Sequence, residues 1–246
     1  IISQAFTCSA VPQSIIAAGF IPFWIDIELE TFSIDIQKLK LSIDKYKNNF
    51  AAIFIQHTFG IVPRDYDALL EIANRNNIPV IEDRCHCNFL IDYFQQIKRT
   101  YYKRIIFCYS FENAKPINLG RGGLLIASNL TKEEISEIEN NLNLFSKQSF
   151  ASSILYASIA IAYNIFYKTS LYWPLLRIYR KMANLGIMPS NFNETISNFN
   201  YEKIGIIQNL LISFIVKIAD EINNSKKVNL LNNLCGYFYK YFTKNR

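Results

Sequence analysis

Two short apolar runs in the middle of the chain constrain its fold most. Residues 78–81, Ile-Pro-Val-Ile, stop at the acidic pair Glu82-Asp83, and residues 105–108, Ile-Ile-Phe-Cys, stop at Tyr109-Ser110-Phe111, with Lys115 close behind. Both have the length of buried strands. Ahead of them, residues 51–55 read as a third buried strand, and Asp65 opens a helix through Asn76 with Ala68, Leu69, Ile72 and Ala73 at helical spacing. Strand, helix, strand is the pattern of a parallel α/β sheet. Ligands of such sheets bind beyond the carboxyl ends of the strands, so Asp83, Ser110 and Lys115 are expected to converge there on one small molecule.

A carboxylate, a hydroxyl and an amine around one ligand suit pyridoxal phosphate chemistry. The amine condenses with the aldehyde, the carboxylate keeps the pyridine nitrogen protonated, and the hydroxyl holds the phosphate. Structural alternatives stand beside these roles. Asp83 also reads as a strand-end cap, and His57, at the end of 51–55, as a histidine at the edge of the core.

The quoted motifs carry a resemblance. Val80-Ile-Glu-Asp-Arg-Cys-His86, Tyr109-Ser-Phe-Glu-Asn-Ala-Lys115 and Gly120-Arg-Gly-Gly123 resemble the DegT/DnrJ/EryC1/StrS family of PLP-dependent sugar aminotransferases, as do Gln56-His57-Thr58-Phe59-Gly60 and Phe6-Thr7. The resemblance implies an α/β fold with an aspartate aminotransferase-like (type I PLP) large domain, its mostly parallel sheet flanked by helices and followed by a helical carboxyl-terminal extension. It implies Lys115 as the catalytic amine, and Asp83, His86, Ser110, Lys115 and His57 as cofactor-binding residues. It also implies a nucleotide-linked keto sugar as substrate, an amino donor such as glutamate, a homodimer, and a place in cell-surface polysaccharide or related glycan synthesis. Cys8 stands where the family usually has a ring-stacking aromatic, Arg121 where it has Glu, and residues 88–103 lack the usual glycines.

Composition bounds the rest. Of 246 residues 50% are hydrophobic and 19% charged, enough for a full core. The net charge of +6 comes from scattered Lys and Arg without a nucleic-acid motif, so nucleic acid is not an expected partner. Five cysteines spread along the chain suit free thiols in a reducing cytoplasm, and Cys85-His86-Cys87 has no second ligand pair to complete a metal site. The chain opens at Ile1 with strand-like sequence under way, so a missing amino-terminal part is expected.

Residues 1–145 are expected to form the cofactor-binding domain. Residues 146–246 are expected to form a helical extension carrying an apolar insertion at 148–189 and a truncated small domain. Residues 148–167 contain no charge, and aromatic and basic residues follow them. Three environments are open to that run: a bilayer span, a membrane interface, or the contact of a dimer. Gly205-Ile-Ile-Gln208 resembles the family's helix leading to the small domain. The sequence thus supports a sugar aminotransferase, with a second reading as an inactive relative that binds or assembles, at a membrane surface or in the cytoplasm.

Overall fold

The computed structural model describes residues 1–46, 49–88, 105–113, 115–128, 130–167, 169–186, 202–203 and 205–224. The glycine-free stretch after Asn88 and everything beyond Asn224 lie outside those residues.

The sheet has six strands: β1 (Ile2–Gln4), β2 (Phe23–Ile25), β3 (Ile53–Gln56), β4 (Val80–Asp83), β5 (Ile105–Ser110) and β6 (Gly123–Ser128), in the order β2-β1-β3-β4-β5-β6. All neighbours are parallel except β6, which runs antiparallel to β5. Residues 111–122 form no helix among the described residues, and the chain folds back through them onto β5. The order reverses at β1: the chain leaves it for β2 on one side and returns to β3 on the other. The strand-like sequence at Ile1 is β1, which is only three residues long and ends at Gln4.

Helices α1 (Ala10–Ala17), α2 (Ile36–Lys45) and α3 (Tyr66–Arg75) make the crossovers. Asp35 caps α2 by accepting from the backbone N–H of Gln37 and Lys38, and Leu39 and Ile43 face the sheet. Asp65 occupies the equivalent place before α3 but accepts no such bond. That helix starts instead on the buried Tyr66. The central strands are apolar on both faces, as a covered parallel sheet requires, with Ile2, Ile53 and Ile55 wholly buried against Leu39, Leu69 and Leu70.

A helical region follows: α4 (Lys132–Asn143), opened by a capping box between Thr131 and Glu134, then α5 (Phe150–Phe166), α6 (Tyr172–Asn184) and α7 (Ile206–Asn224). A short parallel pair, β7 (Ser146–Lys147) with β8 (Glu202–Lys203), joins its two ends. Two glycines set how closely these helices approach. Gly120 has φ +83°, and a Cβ there would overlap the carbonyl oxygen of Tyr156 on α5. At Gly205 a Cβ would overlap the Ser153 hydroxyl, and Gln208 one turn on donates to the Ser153 carbonyl at 3.0 Å. Ile212 then carries α7 into the sheet's own core. Among the described residues no helix is long and apolar enough to cross a membrane, so the spanning alternative for residues 148–167 is not met.

Gly120→Ala should therefore lower stability by about 2–5 kcal/mol, from left-handed strain plus overpacking, whereas Gly186→Ala, also left-handed but with nothing near it, should cost about 1–2 kcal/mol. Urea unfolding of the two variants checks the difference.

Candidate active site at the carboxyl ends of the strands

Strand alternation divides the acidic pair. Asp83 pairs with Gln56 and Cys108 in register and shares their face, while Glu82 pairs with Ile55 and Phe107 and points to the opposite one. Asp83 is buried. Its Oδ1 accepts from the Cys85 N–H at 2.9 Å, and its carbonyl accepts from the His57 N–H at 2.9 Å. The Cys85 thiol also hydrogen-bonds to this carboxylate.

His86 follows on the same loop. Its Nδ1 accepts from the Phe59 N–H at 3.2 Å, and its ring lies parallel to that of Phe59 at 6.3 Å. An accepting Nδ1 leaves the neutral ring's proton on Nε2. Burial holds the His86 pKa below its ordinary value, the Lys115 charge adds to this, and Asp83 opposes it. Gly60 allows the loops to meet, since a Cβ there would stand 2.9 Å from the His86 carbonyl oxygen.

Lys115 sits on the turn after β5, its N–H bonded to the Glu112 carbonyl at 3.2 Å. Its ammonium takes no hydrogen bond or ion pair among the described residues, yet its charge reaches His86 and Cys85. Ser110 ends β5, and its hydroxyl accepts a long 3.4 Å bond from the Glu112 N–H. The charges of Asp83 and Lys115 both reach His86 and Cys85, with Ser110 on the neighbouring strand end. Burial and the Asp83 charge push the Cys108 thiol up to about 12, and the Cys85 thiol is raised for the same reasons. Both stay protonated at neutral pH, and among the described residues no group of three His, Cys, Asp or Glu could hold a metal ion.

His57 lies elsewhere. It is wholly buried on the Glu82 side, with Nε2 2.9 Å from Glu82 Oε2, and it has no surface with which to touch a ligand. Glu82 also accepts from Tyr66 Oη at 2.5 Å and from Arg84 Nε at 2.8 Å, and Arg84 lies over the Phe107 ring at 5.0 Å. Burial alone would raise the Glu82 carboxyl, but the His57 bond and the Arg84 charge outweigh it and hold the group below its ordinary value. Sequence reading missed Tyr66, Glu82 and Arg84. The signal available was the parity that sets Glu82 opposite Asp83.

Sequence reading also missed a polar and aromatic rim at the reversal between β1 and β3. Gln4 donates to the carbonyls of Phe6 and Phe32 and to Thr58 Oγ1, and Thr7 donates to Gln56 Oε1 at 2.5 Å. The rings of Phe6, Phe32 and Phe59 cluster above, with centroids 5.5 to 6.4 Å apart. Phe6 and Phe59 are exposed, and so is Cys8.

A sequence model of the DegT/DnrJ/EryC1/StrS aminotransferase family matches residues 1–165, two thirds of the chain and the whole of this site. The chain belongs to that family. Among relatives, it is 33% identical over 85 residues to 3-oxo-glucose-6-phosphate:glutamate aminotransferase of Bacillus subtilis, covering 35% of this chain and 18% of that protein. It is 30% identical over 129 residues to UDP-2-acetamido-2-deoxy-3-oxo-D-glucuronate aminotransferase of Pseudomonas aeruginosa, covering 52% and 34%. The chain therefore spans about a fifth to a third of the length of these relatives. A putative sugar aminotransferase of Streptococcus pneumoniae, in its PLP form, superposes with a TM-score of 0.47 at 22% identity, covering 61% of this chain and 41% of that one. The family match ends before Gly205, so the Gly205 and Gln208 pattern, expected to extend the resemblance, lies outside it and serves here to seat α7 on α5.

Two measurements test this DegT-family site. Arg84→Leu leaves Glu82 buried without its cation and should destabilise the fold by about 3–5 kcal/mol in urea unfolding. The chain has two histidines, so an NMR titration can separate them. His86 should titrate below its unfolded value. The unfolded chain then binds the proton more readily, so this group's stabilisation is complete above the unfolded pKa and is lost as pH falls through the folded one. His86→Gln should flatten that part of the pH dependence of stability.

Proposed function

We propose that this protein is a pyridoxal phosphate-dependent aminotransferase acting on a nucleotide-linked keto sugar. The observation that carries the reading is the meeting of Asp83, His86 and Lys115 at the strand ends, inside the segment that matches the family. The donor set fits the cofactor: a buried carboxylate, an imidazole with its proton on Nε2, and a lysine whose ammonium takes no hydrogen bond or ion pair among the described residues.

When bound, pyridoxal phosphate supplies an aldehyde that condenses with amines and a ring that accepts electrons from the adjacent carbon. Asp83 would hold a proton on the pyridine nitrogen. His86 would donate from Nε2 to the ring oxygen, and its depressed pKa keeps the ring neutral so that Nδ1 stays bonded to Phe59. The Ser110 hydroxyl would bind the phosphate. Lys115 Nζ would hold the cofactor covalently and, once released by substrate amine, would take a proton from the substrate carbon and return it. His57 contributes by anchoring Glu82, which fixes the strand end that carries Asp83. A nucleotide-linked keto sugar as acceptor and glutamate as donor rest on the family and on the kinds of substrate named for its relatives.

Incubation with pyridoxal phosphate followed by borohydride should leave the label on the peptide containing Lys115, and Lys115→Ala should abolish it. Asp83→Asn removes a charge-assisted hydrogen bond worth about 1.5–3 kcal/mol and should weaken cofactor binding by roughly 10- to 100-fold. Label on another lysine, or an Asp83→Asn variant that binds as tightly as the parent, would refute these assignments.

A further inference from the structure

We propose that the α5–α6 hairpin docks this protein onto an anionic phospholipid bilayer surface. Three independent observations meet there. Helix α5 carries no charge along its length, and Phe150, Ile154 and Ile161, at helical spacing, are exposed by 61%, 46% and 61%. Helix α6 packs inward through Ala183 but carries a second apolar stripe, Leu175, Ile178 and Leu185, which is exposed as well. Between Glu139 and Glu194 the chain has no acidic residue, while Lys147, Lys168, Arg177, Arg180 and Lys181 are basic.

Large apolar side chains left exposed on two successive helices mark an interaction site rather than a solvated face. Its charge distribution selects the occupant. A two-fold contact with a second copy sets a patch against itself, so cations would face cations with no carboxylate of the hairpin to pair them. An anionic lipid surface supplies both an apolar interior for the stripes and negative headgroups for Arg177 and Lys181, which flank the α6 stripe. The helix ends on either side of the turn add Tyr163, Tyr167, Tyr172 and Trp173, whose neighbouring rings are 5.0 to 6.0 Å apart. Such side chains prefer the headgroup level, where a ring is buried and its polar tip stays wet. Because α5 lies against Gly120 and Arg121, docking would hold the strand-end site close to the membrane plane.

Co-sedimentation tests the proposal without reference to cofactor or turnover. The protein is mixed with vesicles of phosphatidylcholine alone, and with vesicles of phosphatidylcholine and phosphatidylserine. It should pellet with the second kind only, less so at high salt. Ile178→Asp should abolish binding, and Arg177→Gln with Lys181→Gln should weaken it about 30-fold, since each cation contributes roughly fivefold. The double neutralisation changes exposed positions alone, so it decides the matter even if Ile178→Asp fails to fold. Failure to pellet, or equal binding to both vesicle types, overturns the proposal. So does a lipid-free dimer, measured by sedimentation equilibrium, that Ile178→Asp dissociates while vesicle binding is absent. None of these results bears on Lys115 labelling, so this inference and the aminotransferase reading stand or fall separately.

Discussion

One buried carboxylate organises the sheet half of this protein. Glu82 has no exposed surface and is held by His57 from β3's end, Tyr66 from the start of α3 and Arg84 from its own loop. A buried charge is tolerable only when its partners are complete, so these contacts form together or not at all. They tie the end of β3, the head of α3 and the loop after β4 into one rigid unit. Asp83 is the next residue along. Its height and direction follow from the locking of its neighbour, and the two adjacent acids do different work because a strand turns them to opposite faces.

Rigidity at that point propagates outward through backbone bonds rather than through further salt bridges. The His57 N–H holds the Asp83 carbonyl, the Arg84 N–H holds the Cys108 carbonyl, and Phe59 reaches His86 across the β3 and β4 loops. Phe59 takes φ +57° to do so, a conformation that costs an L-residue energy and persists where surrounding contacts enforce it. The glycines complete the arrangement. Gly60 lets one loop pass beneath His86, and Gly120 lets α5 rest on the turn that follows Lys115. The helical region is thus joined to the site by close backbone packing, with Arg121 bonded to Tyr156 at 2.7 Å.

Polarity separates the two halves of the chain. The sheet half carries the buried acids Glu82 and Asp83, whereas the α5–α6 hairpin has no acidic residue and leaves its apolar stripes outside the core.

The sequence alone determined the α/β class, the strands that end in Asp83 and Ser110, and the family. These features rest on local chemistry: apolar runs of strand length, helices at 3.6-residue spacing, and polar residues at fixed offsets behind them. It also exposed the charge-free run at 148–167. What it left undecided depended on contacts between residues far apart in the chain. Whether His57 faces a ligand or the core followed from its partners, 9 and 25 residues away, because the side of a sheet that a histidine meets is set by pairing and not by its own type. The antiparallel turn of β6 and the burial of Arg84 likewise came from neighbours in space. Strand-like sequence at Ile1 could not say where its strand would lie; the tertiary structure places the three-residue β1 at the reversal of the sheet, where its Gln4 holds the rim of the site together.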